Sequence, residues 1–331
     1  MPTQKGKPFL AITLGDPAGC GPWVGVRAAQ DPRVTRETRP VLVGDASVLH
    51  RFGKRSTFQI KPILSLDEYS CKPGVVNVWH VPHPSIQKLV LGKPQRIGGE
   101  SAMASVKTAV DLVLAKKVKA VVTGPVSKES FQQAGMPHPG HTEWLASLCK
   151  TGPVDMIMAV KERMTLLITR HVPLRQVPDL LTVALIVESV ERVDRWMKTV
   201  PHLKKMRWLM CGLTPHAGDQ GLIGQEEKER VAPAVKILQK RGVQIEGPLP
   251  ADTAWARGGP VFIASLYHDQ GMIPLKVLAK NSVVNITVGL PFVRTSPGHG
   301  TAFDLADGPS PYKRADENPT VEACLTAMRL A

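Results

Sequence analysis

Short apolar runs alternate with amphipathic stretches along most of the chain, and this alternation constrains the fold more than any other feature. Runs of strand length are Phe9–Leu14, Val41–Val43, Val75–Trp79, Ala120–Thr123, Met156–Val160, Thr165–Thr169, Trp208–Leu213, Val261–Leu266 and Val283–Val288. Between several of them apolar residues recur at three- and four-residue steps. Met103, Val106, Val110, Val113 and Leu114 do so, which puts them on one face of a helix. The stretch from Gln225 to Arg241 opens with Glu226 and Glu227 and closes on Lys240, Arg241 and Gly242. Those charges complement a helix dipole, and the glycine suits a C-cap. Pro233 inside it either kinks the helix or marks its true start. Alternation of this kind predicts an α/β fold with mainly parallel strands covered by helices on both sides. A chain of 331 residues is long enough for two domains. It has no Gly/Ser linker, so the two domains are expected to share strands across a cleft and not to be tethered.

Composition excludes several classes of function. The formal charge is +14, yet aromatic residues are only 5% and the basic residues are spread along the chain. Nucleic-acid binders concentrate Lys and Arg on one element or interleave them with aromatics. A general attraction for anionic small molecules accounts for the excess here. The 5 cysteines, at positions 20, 71, 149, 211 and 324, are odd in number and form no Cys-x-x-Cys pair. That argues against a disulfide framework, a cysteine-based zinc site and a catalytic thiol. No apolar run approaches the ~20 residues a membrane helix requires. Lys5 and Lys7 before Phe9–Leu14 faintly imitate a signal peptide, but the run stops at Gly15-Asp16-Pro17. A first β-strand is the better reading, and a cytoplasmic protein is expected.

Three histidines stand in one local setting. The strands beginning at Thr165, Trp208 and Val261 run, through short polar turns, into His171, His216 and His268. Parallel strands end along one edge of a sheet, which is where open α/β folds place ligands. Three neutral imidazoles delivered there leave an open position on a zinc-like ion, the pattern of a catalytic site. Asp269 follows His268 and is placed to orient it. His50, His80, His83 and His202 lack this setting and read as surface or loop histidines.

Lys276, Asn285 and Arg294 lie on or beside the run Val283–Val288 and together suit a phosphate or carboxylate. Pro139-Gly140-His141-Thr142-Glu143 precedes the apolar helix Trp144 to Leu148, offering Thr142 as an N-cap and free backbone N–H groups. The loop Gly15-Asp-Pro-Ala-Gly19-Cys-Gly21-Pro-Trp-Val-Gly25 is one residue too long for the dinucleotide fingerprint, and Pro22 removes an N–H. It reads as a tight strand-to-helix turn.

Seven segments together resemble the 4-hydroxythreonine-4-phosphate dehydrogenase family of vitamin B6 biosynthesis. They are Gly15-Asp-Pro-Ala-Gly19, Thr123-Gly-Pro-Val-Ser-Lys128, Pro139-Gly-His-Thr-Glu143, Pro215-His-Ala-Gly218, Ala251-Asp-Thr253, Tyr267-His-Asp-Gln-Gly271 and Gly289-Leu-Pro-Phe-Val-Arg-Thr-Ser296. The resemblance spans almost the whole chain. It implies a fold like that of isocitrate and isopropylmalate dehydrogenases, in two α/β domains with a cleft between them: residues 1–130 with 300–331, and residues 131–299. It implies NAD or NADP as oxidant, a divalent metal (Zn, Mg or Co), and a homodimer whose active sites lie at the subunit interface. Carried onto matching positions, the metal ligands are His171, His216 and His268. The substrate contacts are His141, Thr142, Lys276, Asn285 and Arg294. His299-Gly300-Thr301-Ala302 resembles the loop with which the related β-decarboxylating dehydrogenases hold the adenosine of NAD. The implied reaction oxidises and decarboxylates 4-phosphohydroxy-L-threonine to 3-amino-2-oxopropyl phosphate, with Asp252 as proton acceptor and His141 as the alternative. Cys20, Trp23, Thr214 and Pro297-Gly298 depart from the common pattern. Alternative substrates are therefore D-threonate or D-erythronate 4-phosphate or a cyclohexadiene diol carboxylate. A phosphate acyltransferase on a similar fold is the competing enzyme class.

Overall fold

The computed structural model describes residues 6–52, 58–138, 140–279, 282–306 and 315–331. Lys5 and Pro139, both used above, lie outside the described residues. Twelve strands are present: β1 (Phe9–Thr13), β2 (Arg39–Gly44), β3 (Gln59–Ile63), β4 (Val75–His80), β5 (Ala120–Val122), β6 (Asp155–Val160), β7 (Arg163–Leu167), β8 (Arg207–Cys211), β9 (Ile245–Leu249), β10 (Val261–Ser265), β11 (Val284–Val288) and β12 (Val293–Pro297). Nine match the expected runs. β3, β9 and β12 were not marked by the apolar pattern. β3 carries Lys61 and Pro62, β9 carries Gly247 and Pro248, and β12 carries Arg294, Thr295 and Ser296.

The chain forms two compact units, Met1–Gly152 with Leu290–Ala331, and Pro153–Gly289. The first unit is larger than expected, taking in residues 131–152 and 290–299. The reason is packing. Trp144 and Leu145 of the helix His141–Leu148 are buried against Val106 and Val110, with Leu290 and Phe292 beside them.

In the first unit the strand order is β3-β4-β2-β1-β5-β12, parallel throughout. The helix Arg96–Leu114 lays Ala109, Leu112 and Val113 on Ala11, Val43 and Val121 of this sheet. Leu114, expected on the same apolar face, is exposed at the helix end.

In the second unit the order is β11-β6-β7-β10-β8-β9. β6 runs antiparallel to both neighbours, and the other pairs are parallel. Every residue of β10 is buried, as a parallel strand covered on both faces requires. The helix Val183–Thr199 starts at Thr182, whose side chain accepts from the N–H of Leu185 at 3.1 Å, and buries Ile186, Val190, Val193 and Met197. The helix around Pro233 spans Ala232–Lys240, preceded by one π-helical turn, Glu227–Val231. Pro233 therefore marks the start of the α-helix, where its missing N–H costs nothing.

The centre of the second unit is a cross-strand pair. Trp208 of β8 and Phe262 of β10 are in register with ring centroids 4.4 Å apart, and Trp208 Nε1 donates to buried Asp194 at 3.2 Å. Phe262→Ala is expected to cost about 3–5 kcal/mol through the cavity it opens. The check is a lowered urea midpoint with an unchanged m-value.

Candidate active site

Strands β7, β10 and β8 are neighbours and parallel, with Leu167 opposite Ser265 and Ala264 opposite Met210. Their C-terminal ends therefore lie along one edge, and each leads within a few residues to one of the three histidines. β7 ends earlier than its apolar run, at Leu167. The chain stays attached beyond it, since Ile168 and Thr169 donate N–H to Ser265 and Leu266 of the β10 end at 2.9 and 3.2 Å. His268 is the first residue of the helix His268–Leu278. His171 and His268 are in contact, with ring centroids 5.5 Å apart. Among the described residues no three His, Cys, Asp or Glu side chains stand close enough to hold an ion, so His216 does not join this pair as the chain stands. Its position is set by its own turn. His216, Ala217, Gly218, Asp219 and Gln220 all have positive φ, from 40° to 82°. Four of these are not glycine, and each such residue costs roughly 1–2 kcal/mol in a left-handed conformation.

Each strand end is tied by buried polar groups. Arg170, next to His171, donates to the Val154 carbonyl at 2.5 Å, and its guanidinium stands 4.0 Å from buried Asp155. Burial pushes the Asp155 carboxyl up, while Arg192 at 2.5 Å acts against that shift. Asp269 meets His268 Nδ1 at 2.8 Å, as its position in sequence suggested, which leaves Nε2 as the atom available to a ligand. Gln270 is buried and accepts from Leu266 N–H while donating to the Gly212 carbonyl, both at 2.7 Å. It thus joins the ends of β10 and β8. Glu227 takes the corresponding place at His216, accepting from the N–H groups of Leu213 and Thr214 at 2.8 Å. Neither Gln270 nor Glu227 stood out in the sequence as a site residue, because neither is itself reactive. Imidazole nitrogens suit a divalent cation, and the structure brings His171 and His268 together while His216 stands apart from them.

The first unit carries Arg294, His141 and Thr142. Arg294 of β12 is buried, and its Nε and Nη2 donate to Thr123 Oγ1 at 3.1 and 2.5 Å. Burial draws its pKa down to about 10, so it stays charged at neutral pH. His141 Nδ1 lies 3.4 Å from Arg294 Nη2. A guanidinium only donates, so Nδ1 accepts and the proton of a neutral ring is on Nε2. Burial, with Arg294 adding to it, holds the His141 pKa well below the usual histidine range. The ring is therefore neutral, with a buried Nε2–H that meets no acceptor among the described residues. This corrects the reading of His141 as an alternative proton acceptor, because its free nitrogen is a donor. Thr142 is buried as the second residue of the helix His141–Leu148, whose N-cap is Gly140, not Thr142 as expected. Thr123 belongs with Arg294 although the sequence showed it only as part of a motif.

Lys276 is exposed on the helix His268–Leu278. Asn285 is on β11 with its Oδ1 buried and unbonded. Asp252 is exposed in the first turn of the helix Ala251–Ala256.

The loop His299–Ala302 packs on the first glycine turn. Cys20 N–H donates to Thr301 O at 2.9 Å, and a Cβ at Gly19 would lie 2.5 Å from that oxygen, so only glycine fits there. His299 Nδ1 donates to the Gly300 carbonyl at 2.9 Å, and its Nε2 is buried. Burial pushes the thiols of Cys20 and Cys211 up to about 11 and about 12, so neither is a nucleophile.

Comparison with known proteins identifies the family. The family model described as pyridoxal phosphate biosynthetic protein PdxA matches residues 36–327. The D-threonate 4-phosphate dehydrogenase of Cupriavidus necator is 35% identical, covering 98% of this chain and 97% of its own. The 4-hydroxythreonine-4-phosphate dehydrogenase of Methylorubrum extorquens is 39% identical over 90% of this chain and 88% of its own. The crystal structure of a 4-hydroxythreonine-4-phosphate dehydrogenase from Klebsiella pneumoniae matches 98% of both chains at 34% identity, with a TM-score of 0.87. No helix among the described residues is long and apolar enough to cross a membrane. With motifs, fold and near full-length identity in agreement, the chain belongs to the PdxA family of dehydrogenases.

Proposed function

We propose that this chain oxidises a hydroxy-acid 4-phosphate, with 4-phosphohydroxy-L-threonine as substrate, NAD or NADP as oxidant and a divalent cation as cofactor. The observation that carries the reading is the buried, charged Arg294 with its fork held by Thr123 and a neutral His141 beside it. Such a pocket recognises a planar set of oxygens, as on a phosphate. D-threonate 4-phosphate is the second reading. It has the same 3-hydroxyl and phosphate, and a dehydrogenase named for it is 35% identical.

Arg294 binds the phosphate, and Thr123 fixes the plane of the guanidinium so that little rotamer entropy is lost on binding. His141 Nε2–H donates to a substrate oxygen, and Asn285 Oδ1 accepts from a substrate hydroxyl or amine. Lys276 adds charge for the substrate's anionic groups. His171, His216 and His268 would hold the cation, and His299–Ala302 would hold the nucleotide. A bound cation would supply Lewis acidity at the substrate hydroxyl, and the nicotinamide would accept the hydride. With His141 fixed as a donor, Asp252 is the group proposed to take the hydroxyl proton. Oxidation at the carbon β to the carboxylate leaves a β-keto acid, which loses CO2 to give 3-amino-2-oxopropyl phosphate.

The working form is proposed to be a cytoplasmic homodimer. The helix His268–Leu278 exposes Ile273, Val277 and Leu278, and the loop after His216 exposes Leu222 and Ile223. Large apolar side chains this exposed fit an interface with a second copy.

Arg294→Lys keeps the charge but loses the fork. It is expected to raise KM for the phosphorylated substrate about tenfold or more with kcat little changed. Thr123→Val should act in the same direction, since it removes a buried acceptor worth about 1–3 kcal/mol. NADH formation followed in the near ultraviolet measures both. An equal loss on an analogue lacking the phosphate would refute the assignment. Chelation should abolish turnover, and added Zn, Co or Mg should restore it. Val277→Glu should shift the mass in light scattering from dimer toward monomer.

A further inference from the structure

We propose that Glu227 is a positioning residue for His216, acting through the left-handed turn on which that histidine stands. The inference rests on the reading of His171, His216 and His268 as metal ligands.

The turn has an unfavourable backbone. His216, Ala217, Asp219 and Gln220 all have φ between 40° and 55°, a conformation that persists only where surrounding groups enforce it. Glu227 is the enforcing group. It is only 4% exposed, and both of its oxygens are committed to the entry of the turn. Oε1 accepts from Leu213 N–H and Thr214 N–H, each at 2.8 Å, and Thr214 Oγ1 stands 3.0 Å from both Oε1 and Oε2. The far side of the turn rests on the same carboxylate, since a Cβ at Gly218 would lie 2.7 Å from Oε2. One side chain therefore brackets His216 at residues 213–214 and at 218. Its own place is fixed by the π-helical turn Glu227–Val231, whose last residue is buried in the core. A π-helical turn swings a side chain away from its α-helical direction, which is one reason such turns recur at functional sites.

The physical consequence concerns the metal. A ligand whose backbone is fixed needs only side-chain rotation to coordinate. A ligand on a relaxed turn must first be ordered, and the affinity falls by that ordering cost. Glu227 thus governs metal affinity without touching the ion. The bonds are charge-assisted, so a neutral amide at this place should do the work only in part.

The test uses the purified full-length protein and Co2+ as probe. Binding is followed by calorimetry and by the visible spectrum of the bound ion. His216→Ala, Glu227→Ala, Glu227→Gln and Thr214→Val are compared with wild type, with circular dichroism as the measure of folding. Glu227→Ala is expected to weaken Co2+ binding about tenfold or more, the size seen for groups that orient metal ligands. Its kcat should approach wild type at saturating Co2+, while the half-saturating Co2+ concentration rises. Glu227→Gln keeps acceptance from the two N–H groups and should fall between the two proteins. Thr214→Val removes one bond at constant volume and should shift affinity in the same direction by about two- to threefold. If Glu227→Ala fails to fold, the Gln and Val variants decide by the same criterion. Wild-type Co2+ affinity in the folded Glu227 and Thr214 variants, with affinity lost in His216→Ala, overturns the positioning role alone. Wild-type affinity in His216→Ala overturns the metal reading, and the inference falls with it.

Discussion

The parallel alignment of β7, β10 and β8 is the constraint that brings the strand ends leading to His171, His268 and His216 to one edge. Each strand is short, and its residues serve mainly to bury surface, as Phe262 and Trp208 do in register. The order of the strands nevertheless fixes which three loops share an edge. Sequence distance loses its meaning there. His171 and His268, far apart in the chain, arrive side by side because hydrogen-bonded neighbours are less than 5 Å apart. Hydrophobic burial and ladder hydrogen bonds thus set the coarse position of all three imidazoles before any polar group acts.

Fine positioning comes from a second set of residues, each one step removed from the ring it serves. Asp269 orients His268, Gln270 joins the ends of β10 and β8, Arg170 ties down the segment before His171, and Glu227 holds the turn of His216. All are polar, and Gln270 and Glu227 are buried. A buried polar group without partners is costly, so these side chains are well bonded and correspondingly hard to move. The same logic governs Arg294 in the first unit. Its hydrogen bonds to Thr123 keep a buried guanidinium in one plane without neutralising it.

The sequence made the coarse level legible and left the fine level hidden. The α/β alternation, nine strands and the strand-end setting of the histidines follow from apolar periodicity, which burial dictates. The strands that escaped, β3, β9 and β12, carry Pro62, Gly247, Pro248 or Arg294, residues that interrupt an apolar run. The compact units divide differently from the expected domains, because the helix His141–Leu148 packs Trp144 and Leu145 on Val106 and Val110, a contact made only in three dimensions. Thr123, Gln270 and Glu227 escaped for another reason. A threonine, a glutamine and a glutamate are common on any surface, and only their burial and partners give them a role. The left-handed turn at His216 had no local signal either, since four of its five residues disfavour the conformation they adopt.

Three side chains share a further property that bears on selectivity. His141, His299 and Asn285 each have one buried polar atom without a partner among the described residues, and the two histidines spend their other ring nitrogen on the protein. The bonds already made leave a donor at His141 Nε2, and Asn285 Oδ1 is an acceptor. A buried polar atom left without a partner costs roughly 1–3 kcal/mol. A ligand that completes the bond removes that cost, while one that lacks the matching group leaves it in place. Discrimination of this kind is stronger than an apolar pocket can provide, because the penalty falls on the wrong ligand and not only on the missing contact. Arg294 supplies charge and these three side chains supply directed polar atoms, two different kinds of group within one fold.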